Sequence, residues 1–205
     1  MLRFAIFGFP VQIQPFFWLI CFFCAGGFSM TSQAAWFGVL TWMIAIFISI
    51  LWHELGHAMA VRRYQGYPVI ALHGMGGTTF FQNRFDRPQR LVISGAGPLC
   101  SLLLAGAAFA WRWIGVPPFL GELVFALMWI NIVWTVFNLL PILPMDGGQI
   151  LRDVLGPRHY RLTCMIGMLT AIACALVAFF LFRMVFATVL LGFMAYANGK
   201  GLMDR

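Results

Sequence analysis

The chain has 205 residues, of which 62% are hydrophobic and only 9% are charged. Soluble domains carry about 45–50% apolar and about 25% charged residues, so this composition excludes a water-soluble globular protein and indicates an integral membrane protein. The formal net charge is +7, and the arginines that supply most of it lie in connections between apolar runs. This placement favours topology signals and anionic lipid headgroups over nucleic acid, so we expect a lipid bilayer and no nucleic-acid partner.

Apolar runs divide the chain into six predicted transmembrane helices. A helix needs about 20 apolar residues to cross a hydrocarbon core of about 30 Å, and breaks rich in glycine, proline or charge separate the runs. The predicted spans lie at about 13–29, 36–59, 91–113, 120–140, 162–182 and 184–198. The sequence therefore predicts an all-α polytopic membrane protein with a single domain over residues 1–205.

The connection between spans two and three differs from the others. Between Tyr67 and Phe81, the chain mixes valine, isoleucine, threonine and phenylalanine with three glycines, a composition that favours short strands over a helix. We expect a small membrane-associated β region there. Further along, the segment from Asp146 to Leu155 is predicted to be a short helix or a re-entrant segment.

The distribution of positive charge predicts the orientation. If the N-terminus is cytoplasmic, Arg112 and Arg183 are the only basic residues on the opposite side. By the positive-inside rule, both termini are predicted to be cytoplasmic. The N-terminus has no cleavable signal-peptide pattern and is expected to lead into a mature first span.

The second predicted span ends in the motif H-E-x-x-H, formed by His53, Glu54 and His57. Residues four apart on a helix share a face, so the two imidazoles can bind one metal ion, while Glu54, about 100° round the helix, is free to handle a proton. Unsatisfied polar groups cost several kcal/mol each at membrane depth. A metal site therefore explains three ionisable groups in one turn better than ordinary core histidines do.

A hydrolytic zinc needs a third protein ligand, and Asp146 is the best candidate. It lies in the segment N-L-L-P-I-L-P-M-D-G-G at 138–148, at the cytoplasmic end of the fourth span, where His53 and His57 are also predicted. The prolines and glycines allow the backbone to bend the carboxylate inward. The alternative is that Asp146 caps the helix that follows.

An intramembrane H-E-x-x-H followed by N-x-x-P-x-x-P-x-D-G-G resembles the site-2 protease family of intramembrane zinc metalloproteases. The N-terminal segment 8–16 is similar to the start of the sporulation-factor-processing members, and 94–98 matches a further family segment. Gln14 and Ser101 depart from the family pattern, standing where a histidine and an asparagine are usual. The resemblance implies one zinc ion per chain, bound by His53, His57 and Asp146, with Glu54 as the catalytic base.

The resemblance also implies contacts with the substrate. Gly76, Gly77 and Phe80 are similar to a family G-x-x-x-F element that is thought to hold an extended substrate strand. Asn138 is a candidate for stabilising the oxyanion, or it caps the end of the fourth span. His73 is expected to be an ordinary polar residue of the β region, with a contact to the substrate as the alternative.

These features predict hydrolysis of a peptide bond within or near a transmembrane segment of a membrane-protein substrate. The site is expected nearer the cytoplasmic face of a bacterial or archaeal cell membrane. Two alternatives are a zinc transporter, because buried histidine and aspartate also mark ion paths, and a non-proteolytic membrane binding partner. The sequence leaves the oligomeric state open.

Overall fold

The computed structural model describes residues 1–27 and 32–203. Its strands and helices, in chain order, are β1 (Leu2–Ile6), β2 (Phe9–Ile13), α1 (Pro15–Cys24), α2 (Gln33–Arg63), β3 (Val69–His73), β4 (Gly76–Phe80), α3 (Arg87–Ile114), α4 (Gly121–Asn138), α5 (Asp146–Leu155), α6 (Tyr160–Phe180) and α7 (Val185–Met203). The chain packs as two compact units. The first comprises residues 1–85 and 96–135, and the second comprises residues 86–95 and the chain from 136 onward.

The first unit contains a four-stranded sheet in the order β1-β2-β3-β4. β3 and β4 pair antiparallel and lie between α2 and α3, where the sequence predicts a β region. β2 pairs parallel with β3 through Val11–Ile13 and antiparallel with β1. Since β4 is the last strand in this order, one of its edges has no partner strand among the described residues.

The hairpin of β1 and β2 was not predicted from the sequence. Phe7 and Gly8 both have positive φ, +51° and +79°, as a two-residue type I′ turn requires. Phe9, Val11 and Ile13 are buried while their neighbours are less so, which is the alternation of a strand with one buried face. That alternation was the available signal, but the apolar run that continues into α1 obscures it.

The predicted count of six spans is not confirmed, because the first predicted span contains the end of a strand and a short helix instead of one long helix. Its start at Ile13 belongs to β2, and α1 covers ten residues, Pro15–Cys24. Such a helix is about 15 Å long, about half the thickness of the hydrocarbon core. The end of this predicted span, at 28–29, lies outside the described residues.

Five helices of the described chain are long and apolar enough to cross a membrane. They are Ala35–Arg63, Arg87–Ile114, Pro118–Asn138, Pro157–Phe180 and Val185–Met203. Many of their exposed side chains are large and apolar, including Leu103, Phe109 and Val133, as expected for surfaces that face lipid rather than water. The protein is therefore a mostly helical, multi-pass membrane protein with a small sheet.

The second unit has its own apolar core, in which α6 and α7 pack with the loop between α4 and α5. Ile142 and Met145 from the loop are buried with Ala171 of α6 and Leu191 of α7. The first turns of α3 belong to this unit, and there Arg90 Nε lies 3.0 Å from Asp153 Oδ1 of α5. Asp153 is only 3% exposed, and this ion pair gives its buried carboxylate a positively charged partner within the second unit.

Candidate metal centre

The last turns of α2 bring two buried histidines together. His53 and His57 are 2% and 8% exposed, and their Nε2 atoms lie 3.1 Å apart. Their spacing of one helical turn puts both rings on the same face. Glu54, which is 4% exposed, lies in the same turn.

The geometry of the two imidazoles fits a shared metal ion. With Zn–N bonds of about 2.0–2.1 Å, two nitrogens on one tetrahedral zinc lie about 3.3–3.4 Å apart, close to the separation of the two Nε2 atoms. Gly97 of α3 lies directly against them. A Cβ at this position would be 2.2 Å from His57 Nε2 and 2.7 Å from His53 Nε2, so only glycine leaves room for both rings and a ligand.

Ser101 supports the first histidine and was missed as a site residue. It is fully buried on α3, one turn after Gly97, and its Oγ lies 3.1 Å from His53 Nδ1. If Nδ1 carries the proton and donates it to the hydroxyl, the Nε2 lone pair is left for a metal. A partner of this kind orients a histidine ligand and fixes its tautomer. The only sequence signal for Ser101 was that a serine replaces the asparagine usual in the family at this position.

Replacing Ser101 with alanine is expected to weaken zinc binding about ten-fold, because loss of such a partner typically reduces metal affinity 10–100-fold. Zinc affinity is measured by competition with a chelator on the purified protein. Ser94→Ala, a change at another buried serine of the same helix, is the control and should bind zinc as the wild type does. Equal affinity of the Ser101→Ala variant and the wild type would refute the role assigned to the hydroxyl.

Glu54 packs against strand β4. The hydroxyl of Thr79 lies 2.7 Å from Glu54 Oε2 and 3.1 Å from its backbone oxygen, so it can donate to the carboxylate. Gly77 lies beside the same side chain, since a Cβ there would be 2.5 Å from Glu54 Cγ and 2.6 Å from Oε1. Thr79 was not among the predicted site residues, and only the packing of β4 on α2 reveals it.

The other predicted substrate-contacting residues are distributed over both units. Gly76 begins β4 with a φ of +116°, and a Cβ there would be 3.0 Å from the Trp134 ring. Phe80 ends the same strand and is 57% exposed. Asn138, the last residue of α4, is half-buried in the second unit. A role in substrate binding remains a prediction for all of them.

His73 is an ordinary part of the β3–β4 hairpin. Its Nε2 lies 2.9 Å from Thr78 Oγ1, and its Nδ1 accepts a hydrogen bond from the Met75 backbone N–H. Both ring nitrogens are therefore engaged within the turn. This agrees with the structural role expected from the sequence.

Asp146 is the first residue of α5 in the second unit and is 7% exposed. Met145 occupies the N-cap position and its side chain makes no cap hydrogen bond, so Asp146 is the first residue within the helix rather than its N-cap. The next two residues, Gly147 and Gly148, lie too close to the backbone of the preceding loop for a side chain to fit. A Cβ on Gly147 would lie 2.1 Å from Leu139 O, and one on Gly148 would lie 2.4 Å from the carbonyl carbon of Ile142. The first turn of α5 therefore rests directly on the backbone of the preceding loop.

Comparison with known proteins identifies the class to which these features point. A sequence model of peptidase family M50 matches residues 118–177, the part that contains Asn138 and Asp146. Zinc metalloprotease MJ0392 of Methanocaldococcus jannaschii is 32% identical over 164 residues, which are 76% of this chain and 45% of that protein. Stage IV sporulation protein FB of Bacillus subtilis is 30% identical over 149 residues, 69% of this chain and 46% of that protein.

A solved structure extends the similarity to the fold. The site-2 protease from Methanocaldococcus jannaschii matches with a TM-score of 0.68 and 26% identity, over 98% of this chain and 94% of that one. The resemblance to the site-2 protease family is therefore confirmed in sequence and in fold. The chain spans less than half the length of the curated relatives it matches.

Proposed function

We propose that this chain is an intramembrane zinc metalloprotease, which hydrolyses a peptide bond within or near a transmembrane segment of a membrane-protein substrate. The main support is the buried pair of His53 and His57 with their Nε2 atoms 3.1 Å apart, next to Glu54 on an apolar helix. Metal binding explains this arrangement because it satisfies polar groups that are otherwise costly at membrane depth.

The proposed ligands of one zinc ion per chain are His53, His57 and Asp146. Two imidazoles and one carboxylate form a common ligand set of hydrolytic zinc sites. Asp146 is buried in a chain with few carboxylates, and the resemblance to site-2 proteases assigns it this role. When bound, zinc supplies a Lewis acid that activates water near neutral pH and polarises a carbonyl group.

Glu54 is the proposed general base. Its carboxylate takes the proton of the attacking water and then delivers it to the departing amine. The Thr79 hydroxyl, 2.7 Å from Oε2, holds the carboxylate in one orientation and leaves Oε1 to carry the proton. Asn138 is the proposed donor to the oxyanion that develops on the scissile carbonyl.

The unpaired edge of β4 is the proposed binding site for the substrate backbone. The peptide bonds of a transmembrane helix are protected by internal hydrogen bonds, so the helix must unwind locally before cleavage. A strand added to β4 would replace those hydrogen bonds. It would also pass near Glu54, because Gly77 and Thr79 of β4 contact that carboxylate. Gly76 and Phe80 lie at the ends of the same strand.

The proposed orientation places both termini in the cytoplasm and the site nearer the cytoplasmic face. Arg62 and Arg63 end α2 and are expected at the headgroup level. His57 and His53 lie five and nine residues before Arg62 on this helix, which places them about 8–14 Å deeper in the membrane. A bacterial or archaeal cell membrane is the proposed location.

The test is zinc analysis of the purified full-length chain combined with cleavage of a panel of single-span membrane proteins in proteoliposomes. We expect about one zinc per chain and cleavage within or near the span of at least one substrate. Removing the metal with 1,10-phenanthroline should stop cleavage, and added zinc should restore it. Zinc flux through the proteoliposomes without any cleavage would instead support a transporter and contradict the proposal.

A further inference from the structure

A buried asparagine near the end of α7 binds the loop that precedes Asp146. Asn198 is 3% exposed, and its side-chain amide pairs with both backbone polar groups of Leu143. Asn198 Nδ2 donates to Leu143 O at 2.8 Å, and Leu143 N–H donates to Asn198 Oδ1 at 3.3 Å. Asn198 Nδ2 also lies 2.8 Å from Met194 O in its own helix.

These bonds matter because Leu143 lies in an irregular segment between α4 and α5. Leu143 is half-buried, and backbone polar groups outside helices and strands need other partners where water is excluded. Leu143 is also in contact with α5, since a Cβ on Gly148 would be 2.6 Å from its backbone nitrogen. Asn198 therefore holds the segment against which the first turn of α5, including Asp146, is packed.

Gly167 of α6 provides the space for this asparagine. A Cβ at position 167 would be 2.4 Å from Asn198 Oδ1 and 3.2 Å from the Pro141 oxygen. Two helices and the loop thus meet at one polar contact within an otherwise apolar core. An asparagine that served only the packing of α7 on α6 would not need to bond the backbone of the loop.

We propose that Asn198 is a positioning residue for the metal site. By holding Leu143, three residues before Asp146, it fixes the orientation of the Asp146 carboxylate as a zinc ligand. The inference rests on the proposed function, because it takes Asp146 to be a ligand. It assigns a role in positioning the metal site to a residue of α7, which is far along the chain from both the H-E-x-x-H motif and the segment that contains Asp146.

Two variants of the full-length protein perturb this contact in different ways. Asn198→Leu removes all the hydrogen bonds at similar side-chain size. Gly167→Ala keeps the asparagine and forces it away from its place, while alanine favours the helix more than glycine does. Thr163→Val is the control, because it removes a fully buried hydroxyl of α6 in the same unit. This hydroxyl lies 3.4 Å from His159 O, and none of the hydrogen bonds described for it involves the loop.

The measurements are zinc affinity by chelator competition, the visible absorption spectrum of the cobalt-substituted protein, and kcat and KM for a cleaved substrate. Asn198→Leu and Gly167→Ala should each lower zinc affinity about ten-fold and alter the cobalt absorption bands. Both variants should also lower kcat while changing KM little. Thr163→Val should keep the affinity and spectrum of the wild type even if its melting temperature falls.

Wild-type affinity and cobalt spectra in both the Asn198→Leu and the Gly167→Ala variants would overturn the positioning role and leave the proposed function intact. Failure of the wild-type protein itself to bind zinc or cobalt would overturn the proposed function, and the inference with it. If Asn198→Leu does not fold, Gly167→Ala decides the question alone by the same readouts.

Discussion

Replacing Glu54 with glutamine is expected to abolish cleavage while leaving zinc bound. Glutamine has nearly the same size and can still accept a hydrogen bond from Thr79, but its amide cannot take a proton from water. General acid–base catalysis contributes about 10²–10⁴-fold to a rate, and Glu54 is assigned both proton transfers. We expect kcat to fall by at least about 10³-fold, measured on a substrate that the wild-type protein cleaves.

The matched control is Glu122→Gln, which neutralises the chain's other glutamate. Glu122 is exposed in the first turn of α4, so its replacement should leave both zinc content and kcat at wild-type values. Persistent cleavage by the Glu54→Gln variant would refute the assignment of the base. Loss of zinc from this variant would show instead that the carboxylate belongs to the metal site.

Replacing Gly97 with alanine is expected to destroy the metal site without touching any ligand. The added Cβ would lie 2.2 Å from His57 Nε2 and 2.7 Å from His53 Nε2, much closer than atoms can approach. One or both rings must therefore leave the orientation in which their nitrogens converge. We expect zinc affinity to fall by more than about 100-fold, beyond the range typical of residues that only orient a ligand, as measured by chelator competition.

Gly106→Ala is the control for this change because it makes the same substitution on the same helix. A Cβ at Gly106 would meet no atom within 4 Å, and alanine favours helix over glycine, so this variant should fold and bind zinc normally. If Gly97→Ala also bound zinc with wild-type affinity, this result would refute the claim that α3 approaches the two imidazoles too closely to allow a side chain at position 97.

The long helices were largely predictable because their signal is local. Runs of apolar residues and the breaks between them can be recognised from short stretches of sequence. Arg183, which divides the last apolar stretch, has a φ of +56° and lies in the turn between α6 and α7. The N-terminal region was predicted less well. Strand β2 and helix α1 form one apolar run, and Pro10 suggests a break rather than a strand. In the structure, Pro10 pairs with Ala5 of β1 and lies before the parallel pairing with β3, which begins at Val11.

The chemistry of the site was predictable in part for the same reason. Residues one turn apart share a helix face wherever the helix lies, so the pairing of His53 with His57 follows from their spacing. Thr79 and Ser101 carry no such signal. Threonine and serine are common in apolar segments, and their contacts with Glu54 and His53 depend on the packing of elements that are distant along the chain.

The sequence by itself determined that this is a helical membrane protein with an H-E-x-x-H turn in an apolar helix, because composition and helical spacing are local properties. Only the tertiary structure decided which backbone and side-chain atoms surround that turn. Gly97 and Gly77 appear in the sequence as two of its 21 glycines. The packing of α3 and β4 against α2 makes them the positions where a single added carbon would collide with the imidazoles or with the proposed base.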